Sequence, residues 1–184
     1  MNSHGSSTEA RLLVAAPELV DPNFCRTVVL MLEHDENGAL GLVLNRPRMV
    51  GGGEAVPHWA DRLAAPGHLH DGGPVSKDSV IGLGLGGTDG EGTTPLLGRL
   101  CVVDLHRSPD ELADVEQVRL FAGYSGWTGG QLDAELVAGG WIVVDAQEED
   151  ALAVDADCLW SAVLARQEGM TSLLADYPDD PAVN

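Results

Sequence analysis

The chain has 184 residues, ten Lys plus Arg against 29 Asp plus Glu, and a formal net charge of −19 with a pI near 4.3. That length fits one domain with a sizeable core, and the 44% hydrophobic and 21% charged fractions are those of a globular chain. The acid excess, with Lys77 as the single lysine, leaves no basic stripe for phosphates and no polybasic patch for lipid, which weighs against direct nucleic-acid binding and against a membrane surface; no apolar run approaches the roughly 20 residues of a membrane span.

Taken in chain order, residues 1–9 are polar, lack the hydrophobic segment of a secretory signal, and read as a flexible tail ahead of a single domain over 10–184. Residues 11–16 (RLLVAA) are a short apolar run closed by Pro17, read as a buried strand. Residues 27–33 (TVVLMLE) are a second strand. Asp35-Glu36-Asn37-Gly38 is a hairpin turn, and residues 39–45 (ALGLVLN) return as its partner, ended by Pro47. Residues 50–54 are glycine-rich and read as loose, and 58–64 as a short helix. Leu69 opens a brief strand, Gly72-Gly73-Pro74 turns the chain, and 78–85 is a strand weakened by Gly82 and Gly84. After a soft loop over 86–94, residues 97–105 read as one strong strand. Ser108-Pro109-Asp110-Glu111 carries the residues of a helix start. Residues 118–124 are a strand, 131–138 a helix closed by Gly139-Gly140, and 141–146 the last strand. Ala156, Leu159, Trp160, Val163 and Leu164 form the apolar stripe of an amphipathic helix. Strands outnumber helices and neighbours pair locally, so the expected class is α+β, a mixed and largely antiparallel sheet flanked by a few short helices.

Most chemical motifs fail on context. Gly82-x-Gly84-x-x-Gly87 follows a strand, but the next residues, with Gly90, Gly92, Pro95, Asp89 and Glu91, fit no helix N-terminus for a pyrophosphate. The P-loop needs a Gly-Lys pair that Lys77 does not supply. Gly123-Tyr124-Ser125-Gly126 misses the nucleophile elbow by one position, because Trp127 stands where a glycine belongs. His68-x-His70 places two imidazoles on one strand face without a third ligand of matching spacing, so no metal and no cofactor is expected. Cys25, Cys101 and Cys158 are odd in number, widely spaced and set among apolar residues, and read as three buried reduced thiols.

One constellation survives. His34 and Asn45-Arg46 fall at the ends of the hairpin strands. Tyr124, Trp127, Gln131 and Glu135 fall at a strand-to-helix junction rich in glycine, where polar and aromatic groups line pockets. Arg46 is a fixed cation in an acidic chain; it either pairs with an internal acid, Glu135 being the candidate, or receives an anion. Ligand or partner binding is therefore assigned to His34, Asn45, Arg46, Tyr124, Trp127, Gln131 and Glu135, with the site expected where Asn45-Arg46 meets the 124–131 turn.

These residues carry a family resemblance. Leu12-Leu13-x-Ala15-x-Pro17, Asp21-x-x-Phe24, His34-x-x-x-Gly38-Ala39-x-Gly41-Leu42-x-x-Asn45-Arg46-Pro47, Gly72-Gly73-Pro74-Val75 and Gly123-Tyr124-Ser125-Gly126-Trp127-x-x-Gly130-Gln131-Leu132-x-x-Glu135 with Trp141 stand in the order of the YqgE/AlgH family, which the chain resembles over residues 12–141 and again toward its C-terminus. The resemblance implies a compact α/β fold whose mixed sheet includes a barrel-like part, in a cytoplasmic bacterial protein. It implies no known reaction, although some members bear the label of transcriptional regulator. Three functions follow as expectations: an interaction protein, regulatory through an unknown protein or small-molecule partner; a small-molecule binder or enzyme built on the Asn45-Arg46 and 124–131 region; and a DNA-binding regulator, which the net charge disfavours.

Overall fold

The apolar runs near the N-terminus become three adjacent antiparallel strands, β1 (Arg11–Ala15), β2 (Val28–Asp35) and β3 (Gly38–Val43), with β10 (Trp141–Asp145) on the outer edge of β1. The structure, a computed structural model, describes residues 7–178. Successive β1 side chains alternate between two buried clusters. Leu12 and Val14 pack with Trp160 and Val163 of α3 (Leu159–Ala165), and Leu13 and Ala15 pack with Leu132 of α2 (Gln131–Val137). A strand covered on both faces has no polar side, which is why the sequence reads as an unbroken apolar run. The Trp160 indole adds a hydrogen bond to the Ala15 carbonyl at 2.9 Å, locking α3 to the end of β1.

The second half of the sheet holds β4 (Pro47–Gly51), β5 (His68–Asp71), β6 (Val75–Leu85), β7 (Thr93–Leu97) and β8 (Leu100–Val103). Between β4 and β5 lie the one-turn helix α1 (Gly52–Ala55) and a 3₁₀ turn, Pro57–Arg62, whose Trp59 anchors a third buried cluster with Val115, Val118 and Leu120. The halves are joined by β9 (Gln117–Thr128), which runs through both. Its first half pairs antiparallel with β6 and parallel with β5, and its second half pairs antiparallel with β3. The strand order β10-β1-β2-β3-β9-β6-β8-β7 is an antiparallel sheet curled into a half-barrel, with β5 as a parallel graft carrying β4. The α+β class expected from the sequence is the one observed. No helix among the described residues is long and apolar enough to cross a membrane.

Several elements differ from expectation. Residues 97–105 are not one strand: Gly98 and Arg99 turn the chain, so 93–97 and 100–103 pair as a hairpin. The glycine-rich stretch after Pro47 is not loose, because Pro47 and Gly51 pair with His70 and His68. At Ser108 the capping contacts form, with Glu111 accepting from the Ser108 amide at 2.8 Å, but only turns follow. The chain is drawn back there by Arg62, which donates to the Leu112, Ala113 and Val115 carbonyls; tertiary hydrogen bonding overrides a local helix signal. Of the expected tail, residues 1–6 lie outside the described residues, and Thr8 is buried against His34. Of the three cysteines, Cys101 is buried, Cys25 half-buried and Cys158 exposed, so the expectation of three buried thiols holds at Cys101 alone and fails most fully at Cys158. At Cys158 the thiol faces solvent. Its thiol is pushed up by hydrogen bonding to Asp155.

Candidate functional site

The glycine-rich blocks of the sequence meet where β9 passes from one half of the sheet to the other. Gly123, at φ +70°, is the switch residue, and a β-carbon there would sit 2.7 Å from the Val75 carbonyl oxygen. Gly73 crosses directly over Tyr124, where a β-carbon would approach the Tyr124 carbonyl carbon to 2.2 Å. Backbone-to-backbone contact this close admits only glycine. The Gly72 carbonyl takes the Val43 amide at 2.8 Å, and the Arg46 carbonyl takes the Asp71 amide at 2.7 Å. The Asn45-Arg46-Pro47, Gly72-Gly73-Pro74 and Gly123-Tyr124 blocks are therefore one interlocked junction. Against it lies the loop after β1, and a cleft opens on each side of that loop.

On one side is an aromatic cleft of about 430 Å³ whose wall includes Leu19, Asp21, Phe24, Trp127, Glu135 and Trp141. Phe24 stacks on Trp127 at 6.0 Å and meets Trp141 edge-on at 5.4 Å, while the two indoles stand 6.1 Å apart. Both indole N–H groups donate to Glu135 Oε2, at 2.9 Å from Trp127 and 2.8 Å from Trp141. The other oxygen, Oε1, accepts from Gln131 at 3.0 Å, and Gln131 in turn caps the Thr128 amide at 3.1 Å. One carboxylate on α2 thus fixes both tryptophans, with charge-assisted bonds stronger than neutral ones. Val20 and Val137, next in sequence to residues at this cleft, are 81% and 90% exposed.

On the other side is a smaller cleft of about 140 Å³ beside Arg46, Asp71, Gly73, Pro74, Lys77 and Asn23. Arg46 donates through one Nη to the Cys25 carbonyl at 2.6 Å. Arg48 holds Asp71 through Nε at 2.8 Å and through Nη2, and this pairing raises the Arg48 pKa. Lys77 reaches the cleft because β6 bulges between Val75 and Val80, with Ser76 in the left-handed region at φ +49°.

The predicted residues are thus divided between sites. Trp127, Gln131 and Glu135 share the aromatic cleft, and Arg46 lines the basic one. The pairing of Arg46 with Glu135 does not occur; the 21–24 segment stands between them, with Phe24 on Trp127 and the Cys25 carbonyl on Arg46. Asn45 is buried and spent on backbone, its Oδ1 accepting the Val28 amide at 2.9 Å and its Nδ2 donating to the Arg26 carbonyl at 2.8 Å. Tyr124 falls on the opposite face of β9 from Trp127, as three positions on a strand require, and packs toward the α3 cluster. His34 lines neither cleft; its Nδ1 lies 3.0 Å from Thr8 Oγ1 and its Nε2 3.9 Å from Asp133 on α2. His68 and His70 do not face a common ligand: His70 is buried against Phe121, with Nδ1 on the His68 carbonyl at 3.2 Å. Phe24, Trp141, Asp71 and Lys77 were missed as cleft residues. Trp141 and Phe24 were visible as apolar, but their convergence depends on β10 lying beside β1, a pairing of residues far apart in sequence.

A family model described as AlgH-like matches residues 12–172. A UPF0301 protein of Streptomyces coelicolor is 47% identical over 186 residues, covering 97% of this chain and 96% of that protein. Another, from Mycolicibacterium smegmatis, is 43% identical over 94% of this chain and 89% of its own length. The crystal structure of protein DIP2367 from Corynebacterium diphtheriae superposes with a TM-score of 0.86 at 32% identity, covering 96% of this chain and 95% of that one. The solution structure of AlgH from Pseudomonas aeruginosa gives 0.70 at 30% identity over 98% and 99%. With the family model and relatives of this identity spanning nearly the whole sequence, the chain belongs to the AlgH-like family.

Proposed function

We propose that this protein works by binding, in the cytoplasm, and that it recognises a protein partner through the aromatic cleft beside α2. The observation that carries this reading is the trio Phe24, Trp127 and Trp141 held by one carboxylate in a cleft whose wall also includes Leu19 and Ala138. Rings fixed in advance lose little entropy on binding, and large aromatic residues in a concave patch with an apolar rim dominate recognition energies. Asp21 and Glu135 give the cleft acidic character, so the fitting partner segment carries an apolar side chain next to a basic one. Any regulatory role would run through such a contact. Direct reading of DNA is disfavoured, because a net charge of −19 opposes association with a polyanion.

The test is nuclear magnetic resonance of the four indole N–H signals during titration with short Leu-Arg and Trp-Lys peptides. The Trp127 and Trp141 signals should shift while those of Trp59, fully buried elsewhere, stay in place, and Phe24→Ala should abolish the response. Movement of none of the indoles, or equal movement of Trp59, would end this reading.

A further inference from the structure

We propose that the small cleft on the Arg46 side is an oxyanion site that takes the phosphate group of a small phosphorylated molecule. The inference stands apart from the aromatic cleft and survives if that reading fails. It begins from charge. Of ten basic residues in the chain, three gather at this one place: Arg46 and Lys77 in the wall of the cleft, and Arg48 behind it. The only carboxylate in the wall, Asp71, is already held by Arg48. Arg46 and Lys77 have no carboxylate within ion-pair distance among the described residues, and two uncompensated cations match the double charge of a phosphate monoester. The neighbouring acids do not cancel them: Asp21 caps the Asn23 amide at 2.8 Å and faces the other cleft, and Asp78 is not part of the wall. The chain's remaining negative charge is screened beyond about 8 Å at physiological salt.

Geometry agrees. The Arg46 guanidinium is anchored by one nitrogen on the Cys25 carbonyl, which fixes its direction and leaves its other N–H groups free to donate. Lys77 is delivered by a bulge with Ser76 in a conformation that non-glycine residues avoid; bulges and left-handed residues cluster where a side chain is re-aimed into a site. The cleft volume of about 140 Å³ admits a phosphate group but not a nucleotide, so the rest of the ligand lies outside on the surface. Only ionic and hydrogen-bonding contacts are involved, and no bond is made or broken.

The experiment is calorimetric and ³¹P titration of the full chain with inorganic phosphate and with glycerol phosphate at about 0.15 M salt, where the chain's distant acids are screened. Saturable binding of both is expected, with the ester as tight or tighter, falling at least about tenfold in Lys77→Gln and in Arg46→Gln. Arg107→Gln, whose residue pairs with Glu91 and is not part of the cleft wall, should bind as the parent does. The Lys77 side chain makes no hydrogen bond or ion pair among the described residues, so that variant decides the matter even if Arg46→Gln is poorly folded. Absence of saturable binding by the parent chain, or equal binding by Lys77→Gln, overturns the assignment. Binding of free phosphate but not of the ester would overturn the claim that the ligand extends out of the cleft.

Discussion

On the Trp127 side of the loop after β1, the polar groups that line the cleft find partners within the protein: two indoles and the Gln131 side-chain amide on Glu135, and the Thr128 backbone amide on Gln131. On the Arg46 side, two cations face the cleft with one backbone carbonyl between them. The first arrangement is preorganised and self-satisfied, so substitutions in it act first on stability. The second is left electrostatically open, so substitutions in it act first on what binds. The difference separates a binding surface whose polar groups are already satisfied within the fold from one whose charges need a ligand to satisfy them, although both lie in the same sequence blocks.

The largest expected effect breaks the self-satisfied side. Trp141→Ala removes a buried indole and should cost about 3–5 kcal/mol in chemical denaturation, from lost burial and the cavity left behind. Glu135→Ala should cost about 2 kcal/mol, because two indole N–H groups lose their acceptor. The two are coupled through one hydrogen bond, so the double variant should lose less than the sum. Additivity within about 0.5 kcal/mol would show that the carboxylate does not organise the rings.

How far the sequence shows this difference depends on the range of the interactions. The strands β1 to β3 were legible because burial on both faces leaves an unbroken apolar signature, and α3 because Trp160, Val163 and Leu164 recur at helical spacing. The absence of a helix after Ser108 was not legible, since its cause, Arg62, lies about fifty residues upstream. At the site, Arg46 and the 127–135 segment could be singled out locally. Their separation could not, because it is made by Phe24 and Cys25 from a third segment. Nor could the bulge that brings Lys77 round, because it depends on the backbone packed against Gly123.

An intermediate effect lies beneath the basic cleft. His70 pairs in register with Pro47, next to Arg46, and adjoins Asp71. Burial, followed by the Arg119 guanidinium, lowers its pKa from 6.5 to about 4; Arg119 is itself lowered to about 10 by burial, with its charge set against the Ala65 and Ala153 carbonyls. Between those two His70 values the unfolded chain takes up a proton that the folded chain refuses. The contribution of His70 is therefore fully present above about pH 6.5 and is lost as the pH falls toward 4. Between pH 7 and pH 5 the parent chain should lose about 1–2 kcal/mol more stability than His70→Gln does over the same interval. Equal losses would mean that His70 is protonated within the fold.

The smallest expected effect on stability is the one that sharpens the contrast most. Lys77 is exposed and makes no ion pair among the described residues, so Lys77→Gln should leave the denaturation midpoint within about 0.5 kcal/mol of the parent. Arg46→Gln loses one hydrogen bond to the Cys25 carbonyl and should cost no more than about 1 kcal/mol. Had Arg46 been paired with Glu135 in the interior, its removal would have stranded a buried charge at about 3 kcal/mol or more. Neutralising a cation in a chain of net charge −19 also increases self-repulsion, so any loss should shrink as salt is added. A loss above about 2 kcal/mol that added salt does not reduce would place Arg46 with Glu135 among the architectural residues and dissolve the contrast between the two clefts.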